Sequence, residues 1–217
     1  MPACPPLKPL HPRFRSRLAG LLRVGLAAAT LPAAAATLEL RLSDEAGKPL
    51  AGAVVFLESK EARAASRPAS GVEVMQAQRQ FMPAVSAVQV GTAVSFPNRD
   101  TVRHHVYSFS PTKRFEIKLY VGTPAAPVVF DTPGIGVLGC NIHDNMAAWM
   151  VVVETPYYGI SGTDGRLLMD RVPAGNYRLR SWHPSLPVGA PAHDQPLQLP
   201  ASAGSLPINL KINGARS

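Results

Sequence analysis

Cysteine is nearly absent from this sequence, and its scarcity limits which disulfides the chain can form. The chain has two cysteines in 217 residues, Cys4 and Cys140. Cys4 lies in a leader-like segment, so Cys140 stands alone in the rest of the chain. A single thiol excludes an intramolecular disulfide framework. A lone thiol in an oxidising compartment is a liability unless it is buried or bonded to something.

Familiar catalytic motifs are also lacking. The sequence contains no G-x-S-x-G, no H-E-x-x-H and no glycine-rich phosphate loop. These motifs are typical of serine hydrolases, zinc peptidases and nucleotide-binding enzymes. We therefore expect that the protein is not an enzyme.

The first 36 residues have the pattern of a secretory signal peptide. An apolar run, LAGLLRVGLAAATLPAAAA, ends in an A-x-A site at residues 34–36, and arginines precede or interrupt it at positions 13, 15, 17 and 23. This is the order of a charged region, a short apolar region and a cleavage site. Arg23 and Pro32 interrupt the run too much for a membrane span, so we expect no stable membrane insertion after cleavage. The alternative is an uncleaved anchor.

The basic charge of the chain is concentrated in this segment. The net charge is +8, from 22 basic and 14 acidic residues; five of the basic residues and none of the acidic ones fall in residues 1–36, which leaves about +3 for the mature chain. Such a small excess is weak evidence for a nucleic-acid partner, and we expect none. It is modest evidence for a docking face that prefers acidic proteins.

Long helical periodicity is missing from the mature chain, whereas short alternating stretches recur. AVVFLES, AVQVGTAVSF, HHVYSFS and WMVVVET are separated by turn signals, a pattern that favours an all-β sandwich or barrel. Residues 38–57 are predicted to form strand, turn and strand. Residues 58–70 lose the pattern and are predicted to be an exposed linker.

The two ends of the mature chain resemble halves of one domain. D-x-x-G-K-P-L-x-G-A-V-V near the start and T-D-G-R-x-x-x-x-x-V-P-A-G-x-Y-x-L near the end resemble the carboxypeptidase regulatory-like β-sandwich, where both motifs lie in one continuous domain. The resemblance implies an outer sandwich of residues 37–66 and 156–213, with residues 71–155 inserted between them. Insertion at an exposed loop is tolerated because the loop ends lie close together. The alternative is that both ends decorate one larger sandwich.

Soft donors are concentrated in the segment G-C-N-I-H-D-N-M, residues 139–146. Thiolate and thioether suit copper, and imidazole suits copper, zinc, iron and nickel. Two histidines, one cysteine and a weak axial methionine form a blue-copper electron-transfer site. Cys140, His143 and Met146 supply three of these donors, and His104 or His105 supplies the fourth.

Each donor also has an ordinary structural interpretation. Successive side chains of a strand point to opposite faces, so only one of His104 and His105 can face a metal. Cys140 could be a buried thiol and Met146 a core filler. Met150 is a rival axial ligand, but it lies in the returning strand and is expected in the core.

Residues 71–155 resemble a plastocyanin-type cupredoxin. The C-x-x-H-x-x-M loop has the short spacing of amicyanin, and F-P-N-R-D-T-V-R-H-H-V resembles the amicyanin stretch that ends in the first copper histidine, which places that ligand on His104. The resemblance implies a cupredoxin Greek-key β-sandwich and a periplasmic one-electron carrier that exchanges electrons with redox partner proteins. It also implies one mononuclear type 1 copper, and the ligands that it assigns are His104, Cys140, His143 and Met146.

One sequence difference and two alternative functions accompany this resemblance. Gly136 and Gly139 stand in the strand before Cys140, where many cupredoxins have aromatic residues. The same ligands would serve a copper-binding or delivery protein. The chain could also be a structural or adhesion module with a vestigial, metal-free site.

Overall fold

The computed structural model describes residues 1–3, 35–202 and 204–217. The predicted signal peptide lies mostly outside this range. Its last two residues, Ala35 and Ala36, begin the first strand, and Ala36 is buried there. The described residues from Ala35 onward belong to one compact unit.

Strands dominate the described part of the chain, which confirms the predicted all-β fold class. The helix is α1 (Lys60–Ala65). The strands are β1 (Ala35–Ser43), β2 (Val54–Glu58), β3 (Val72–Glu73), β4 (Met75–Ala77), β5 (Gln80–Met82), β6 (Val85–Gln89), β7 (Thr92–Ser95), β8 (His104–Ser108), β9 (Phe115–Tyr120), β10 (Val128–Phe130), β11 (Gly134–Gly139), β12 (Ala147–Val153), β13 (Tyr158–Ile160), β14 (Arg166–Pro173), β15 (Gly175–Trp182), β16 (His193–Leu199) and β17 (Ser205–Lys211).

Two sheets are built from the flanking segments of the chain. Their strand orders are β14-β1-β17 and β13-β2-β15-β16. In β1 the alternate residues Leu38, Leu40 and Leu42 are buried, as expected for a strand with one face on a core. This pairing of early with late strands is what insertion of a middle segment produces. Membership of these sheets in the carboxypeptidase regulatory-like family stays a prediction.

The middle segment forms its own pair of sheets and a hairpin. The orders are β6-β12-β11-β8-β9 and β10-β7-β3, and β4 pairs with β5. Val94, Phe96, Val106, Phe130 and Leu138 are buried in one cluster contributed by strands of both larger sheets. This arrangement is a sandwich, because the apolar faces of the two sheets pack on each other.

β12 contributes side chains both to the core of the middle sandwich and to the core of the flanking sheets. Its residues Met150 and Val152 lie in the core of the middle sandwich, whereas Val151 and Val153 lie in the core of the flanking sheets. A strand that is covered on both faces needs a continuous apolar run, and this accounts for the sequence AAWMVVV. The two sandwiches are therefore joined by a shared strand.

The prediction of an exposed linker over residues 58–70 was wrong in part. Lys60–Ala65 form a helix, capped by the Ser59 hydroxyl, which accepts a hydrogen bond from the Ala62 amide at 3.0 Å. The cap satisfies one of the free amides of the first turn, and Ala62 is buried against the flanking core. No described helix is long and apolar enough to cross a membrane.

Candidate metal centre

A hairpin loop presents three of the four predicted donors. β11 and β12 pair antiparallel, and the pair Gly139–Ala147 closes the loop of residues 140–146. Within the loop, the Met146 amide donates to the His143 carbonyl at 3.0 Å. The loop is thus fixed at both ends by the sheet and across its middle by a turn.

β8 brings His104 to this loop from the neighbouring strand. It pairs with β11 on the side opposite β12. One ligand atom from each of His104, Cys140 and His143 lies within 4.8 Å of the others, and these residues form the one such group of three that the described residues contain. The rings of His104 and His143 have their centroids 4.9 Å apart.

The spacing of these donors fits a single metal ion. Cys140 Sγ lies 3.7 Å from His143 Nδ1. Metal–sulfur and metal–nitrogen bonds of about 2.3 and 2.0 Å, the lengths found at zinc, place two such donors about 3.5–3.7 Å apart at tetrahedral or trigonal angles. The pair therefore needs little movement to bind the same ion.

The hydrogen bonding of His104 leaves its second nitrogen free to bind a metal. His104 is fully buried, and its Nε2 lies 2.7 Å from Asp100 Oδ2. Its Nδ1 is buried and has no hydrogen-bond partner among the described residues. A carboxylate on one ring nitrogen fixes the proton there and leaves the lone pair on the other, which is how metal-binding histidines are commonly oriented.

Asp100 is itself held by the turn of the β4–β5 hairpin. Its Oδ1 accepts from the Gln78 amide at 2.7 Å and its Oδ2 from the Arg79 amide at 2.9 Å. Both turn residues have positive φ, 54° and 57°, so that the turn aims two successive amides at one carboxylate. Burial acts to raise the pKa of Asp100, but these amides and the His104 ring act against it, and the pKa lies below its ordinary value.

His105 has a similar local environment but lies outside the donor cluster. It is buried, its Nε2 lies 2.8 Å from Glu116 Oε1, and its Nδ1 has no hydrogen-bond partner among the described residues. Its ring packs 5.6 Å from that of Tyr107, along the strand. A free Nδ1 therefore does not distinguish the two histidines, whereas proximity to Cys140 and His143 does.

The two methionines of this region are both buried. Met146 and Cys140 belong to the same apolar cluster, and Met146 is 2% exposed. Met150 is fully buried on β12 and also belongs to this cluster, as expected for a core residue. The role of Met146 as an axial ligand stays a prediction.

A second polar network lies on the strand that pairs with β8 at His104. Tyr120 on β9 is paired with His104 across the β8–β9 ladder. The Tyr120 hydroxyl donates to the Phe96 carbonyl at 2.5 Å and accepts from the side chain of Gln76. Burial raises the pKa of Tyr120 to about 12, so this hydroxyl keeps its proton at neutral pH.

Sequence reasoning missed Asp100, the hairpin turn and Tyr120. Asp100 could have been noticed, because it stands four residues before His104. The turn could not, because Gln78 and Arg79 are unusual residues for positive φ and give no turn signal.

Gly139, directly before Cys140, is covered by a side chain from another strand. A Cβ at Gly139 would lie 2.7 Å from the ring and hydroxyl of Tyr107. The Tyr107 ring therefore covers β11 at Gly139. Cys140, the next residue, is 6% exposed.

The chain has only limited similarity to known proteins. No family model and no curated protein matches the chain. A copper-containing nitrite reductase from Thermus scotoductus SA-01 is similar at a TM-score of 0.36 and 24% identity, over 42% of this chain and 26% of that one. A purple cupredoxin from Nitrosopumilus maritimus has a TM-score of 0.33 and 19% identity, over 38% and 99% of the two chains. The reduced Cu(I) form of an amicyanin mutant has a TM-score of 0.35 and 20% identity, over 46% and 98%.

The chain spans about a quarter of the nitrite reductase that it matches. All of these scores and identities are low. The argument for a metal therefore rests on the donor atoms of this chain and on their surroundings.

Proposed function

We propose that the protein is a type 1 copper protein that carries one electron at a time. The observation that supports this most directly is the donor cluster of His104, Cys140 and His143, whose ligand atoms lie within 4.8 Å of one another. Met146 is the proposed weak axial ligand. Bound there, copper supplies a one-electron couple between Cu(I) and Cu(II).

The donor set favours copper over zinc. A cysteine and two histidines suit both metals, but zinc sites also use harder or additional thiolate donors, and a thioether is a copper ligand. The carboxylate of Asp100 hydrogen-bonds to Nε2 of His104. It therefore orients the ligand.

The protein contributes rigidity and exclusion of water. His104 begins one strand and Cys140 directly follows another, and both side chains are buried. The Asp100 carboxylate, itself held by the Gln78 and Arg79 amides, fixes the His104 ring, and β9 pairs with β8 at this end of the strand. A site held in this way changes little between two oxidation states, which suits electron transfer.

The proposed role is that of a carrier and not of an enzyme. His143 is partly exposed in the loop, whereas His104 is fully buried. Electron exchange with partner proteins needs one ligand near the surface. A periplasmic location is part of the proposal and is supported by the signal-peptide pattern of residues 1–36.

Copper titration of the metal-free protein tests this function. We expect one equivalent of Cu(II) to bind and to produce an intense visible absorption band, because a thiolate bonded to Cu(II) gives a charge-transfer transition. Cys140→Ser should abolish the band. Zinc should compete for the site without producing colour.

Redox cycling separates the carrier from the delivery protein. A carrier keeps its copper through repeated reduction and reoxidation and shows a reversible one-electron potential. Loss of copper in the reduced state would favour delivery. A colourless protein that binds no copper would contradict the site itself.

A further inference from the structure

A small pocket lies beside α1, at the turn that joins β14 to β15. Its volume is about 390 Å³, and its lining includes Ser59 and Glu61 at the start of the helix, Tyr157 just before β13, and Asn176 and Tyr177 on β15. None of the four predicted copper ligands lines it. Small-molecule sites measure about 300–1,000 Å³, so the pocket is large enough for a small ligand.

Two tyrosines, with their rings set nearly at right angles, line this pocket. The rings of Tyr157 and Tyr177 have their centroids 6.1 Å apart and their planes at 84° to each other. The Tyr177 ring is held in place, because its hydroxyl donates a hydrogen bond to the Pro173 carbonyl at 2.9 Å. The face of an aromatic ring attracts a cation, so a wall of this kind favours a positively charged ligand.

Glu61 is the one residue of this lining that carries a formal charge. It is exposed and makes no ion pair with any of the described residues. Burial, the neighbouring Tyr157 and the negative charge of Glu61 raise the pKa of Tyr177, in that order of size. The Glu61 carboxylate therefore lies close enough to the Tyr177 hydroxyl for the two to interact. The pocket thus combines one unpaired negative charge with two aromatic rings.

An anion fits this pocket less well than a cation. The Ala62 amide in the first turn of α1 already donates a hydrogen bond to the Ser59 hydroxyl at 3.0 Å. No basic side chain of the described residues lines the pocket, because Lys60 and Arg63 on α1 and Arg178 on β15 all lie outside its lining. A bound anion would therefore face the Glu61 carboxylate without a compensating positive charge.

We propose that this pocket binds an alkylammonium ion, held by the Glu61 carboxylate and the rings of Tyr157 and Tyr177. A free amine and the side chain of a lysine in another protein share this chemistry, and the experiment below separates the two sources. Binding does not require copper, so the proposal stands or fails independently of the proposed function.

A series of ligands of one chain length and different charge tests the proposal. The full-length protein is titrated with n-butylammonium at fixed ionic strength, and the backbone amide signals of Glu61 and Asn176 in ¹H–¹⁵N spectra should shift in a saturable manner. Neutral n-butanol and the anion n-butyrate should bind more weakly. A short peptide with blocked ends and one central lysine is the second arm. Tighter binding of the peptide than of n-butylammonium assigns the pocket to a protein lysine, and the opposite order assigns it to a free amine.

Matched variants locate the binding site. Glu61→Gln should weaken n-butylammonium binding about two- to fivefold, the usual range for an exposed ion pair. Glu45→Gln is its control, because Glu45 is exposed outside the pocket and glutamine can still accept from the Gly214 amide. Tyr157→Leu should weaken binding about two- to fivefold through loss of the ring, whereas Tyr157→Phe keeps the ring and should bind almost as well as the wild type. Tyr158→Leu is the control, because Tyr158 is also half-buried and does not line the pocket.

Three results would overturn the proposal. The first is no saturable shift of the Glu61 and Asn176 signals with either n-butylammonium or the lysine peptide. The second is equal or tighter binding of n-butanol or n-butyrate, which would contradict the inference from the unpaired carboxylate. The third is equal binding by the wild type and Glu61→Gln. Urea unfolding shows whether each variant is folded, and the ligand series on the wild type decides the second result without any variant.

Discussion

The imidazole ring of His104 is held by the carboxylate of Asp100, with 2.7 Å between His104 Nε2 and Asp100 Oδ2. That carboxylate in turn accepts hydrogen bonds from the backbone amides of Gln78 and Arg79. The contact between the two side chains sets which nitrogen of a fully buried ring carries the proton. It also connects the β4–β5 hairpin, which has no donor in the cluster, to the donor cluster.

Removing the Asp100 carboxylate should weaken copper binding. We expect Asp100→Ala to lower the affinity about 10- to 100-fold, the usual cost of removing the partner of a metal-binding histidine. Competition with a chelator of known affinity measures this. Glu116→Ala is the control, because Glu116 makes the equivalent contact with His105. Equal losses in the two variants would show that Asp100 has no special role.

The two adjacent histidines should differ sharply. His104→Ala should lose copper or bind it much more weakly, because its ligand atom lies in the donor cluster. His105→Ala should keep copper with a small change in the visible spectrum. Both residues are buried, so urea unfolding of the metal-free variants should be recorded beside calorimetric copper titrations. The reverse order of copper affinities would assign the ligand to His105.

The axial position can be tested through the redox potential. Met146→Leu should keep the copper and the colour while raising the potential, because a donor to Cu(II) is lost. Met146→Gln should lower it, since an oxygen donor favours Cu(II). Met150→Leu should do neither, because the swap conserves volume in the core. Redox titrations of the three variants decide between the two methionines. A shift with Met150→Leu alone would place the axial ligand on β12.

Protonation of His183 in mild acid should lower the stability of the flanking sheets. Its Nε2 donates to the Ala51 carbonyl at 3.0 Å, and its Nδ1 accepts from the Ser185 amide at 3.2 Å. Burial lowers the pKa of His183, while the hydrogen bond to Ala51 opposes this in part. The unfolded chain therefore binds the proton more readily than the folded one.

The stability contribution of neutral His183 is accordingly complete above its ordinary pKa of about 6.5 and is lost as the pH falls below that value. Urea unfolding at pH 7.5 and 5.5 measures this for the wild type and for His183→Gln. The wild type should lose more stability between the two pH values than the variant. An equal loss would show that other groups cause the acid sensitivity.

Substitution of two turn glycines in the flanking sheets by alanine should lower the unfolding free energy by different amounts. Gly47 and Gly165 both have positive φ, 83° and 71°. Gly47→Ala should cost about 1–2 kcal/mol of unfolding free energy from backbone strain alone, since nothing lies within 4 Å of its added Cβ. Gly165→Ala should cost about 1–3 kcal/mol more, because its Cβ would lie 2.5 Å from the Leu42 carbonyl oxygen. Urea unfolding of the two variants compares them, and equal costs would contradict the close contact.

The sequence by itself was enough for the parts of the site that lie close together along the chain. Cys140, His143 and Met146 are confined to one seven-residue loop between paired strands, and the structure brings the donor atoms of Cys140 and His143 together. The role of Met146 as a ligand stays a prediction. The sequence was also enough for the strands themselves, because alternation in β1 and the apolar run of β12 follow from which faces are covered. The all-β class could therefore be predicted without any tertiary information.

Strand alternation left His104 and His105 open, and the resemblance assigned His104; the tertiary structure places His104 in the donor group and alone decided what supports it. His104 and His105 are neighbours with the same type of partner, and only the register of β8 against β11 places one of them near Cys140. The contacts of Asp100 with Gln78 and Arg79 join segments that are about twenty residues apart, across a turn with no sequence signal. Such contacts depend on how strands pair and pack in three dimensions, and the spacing of residues along one strand carries no information about them.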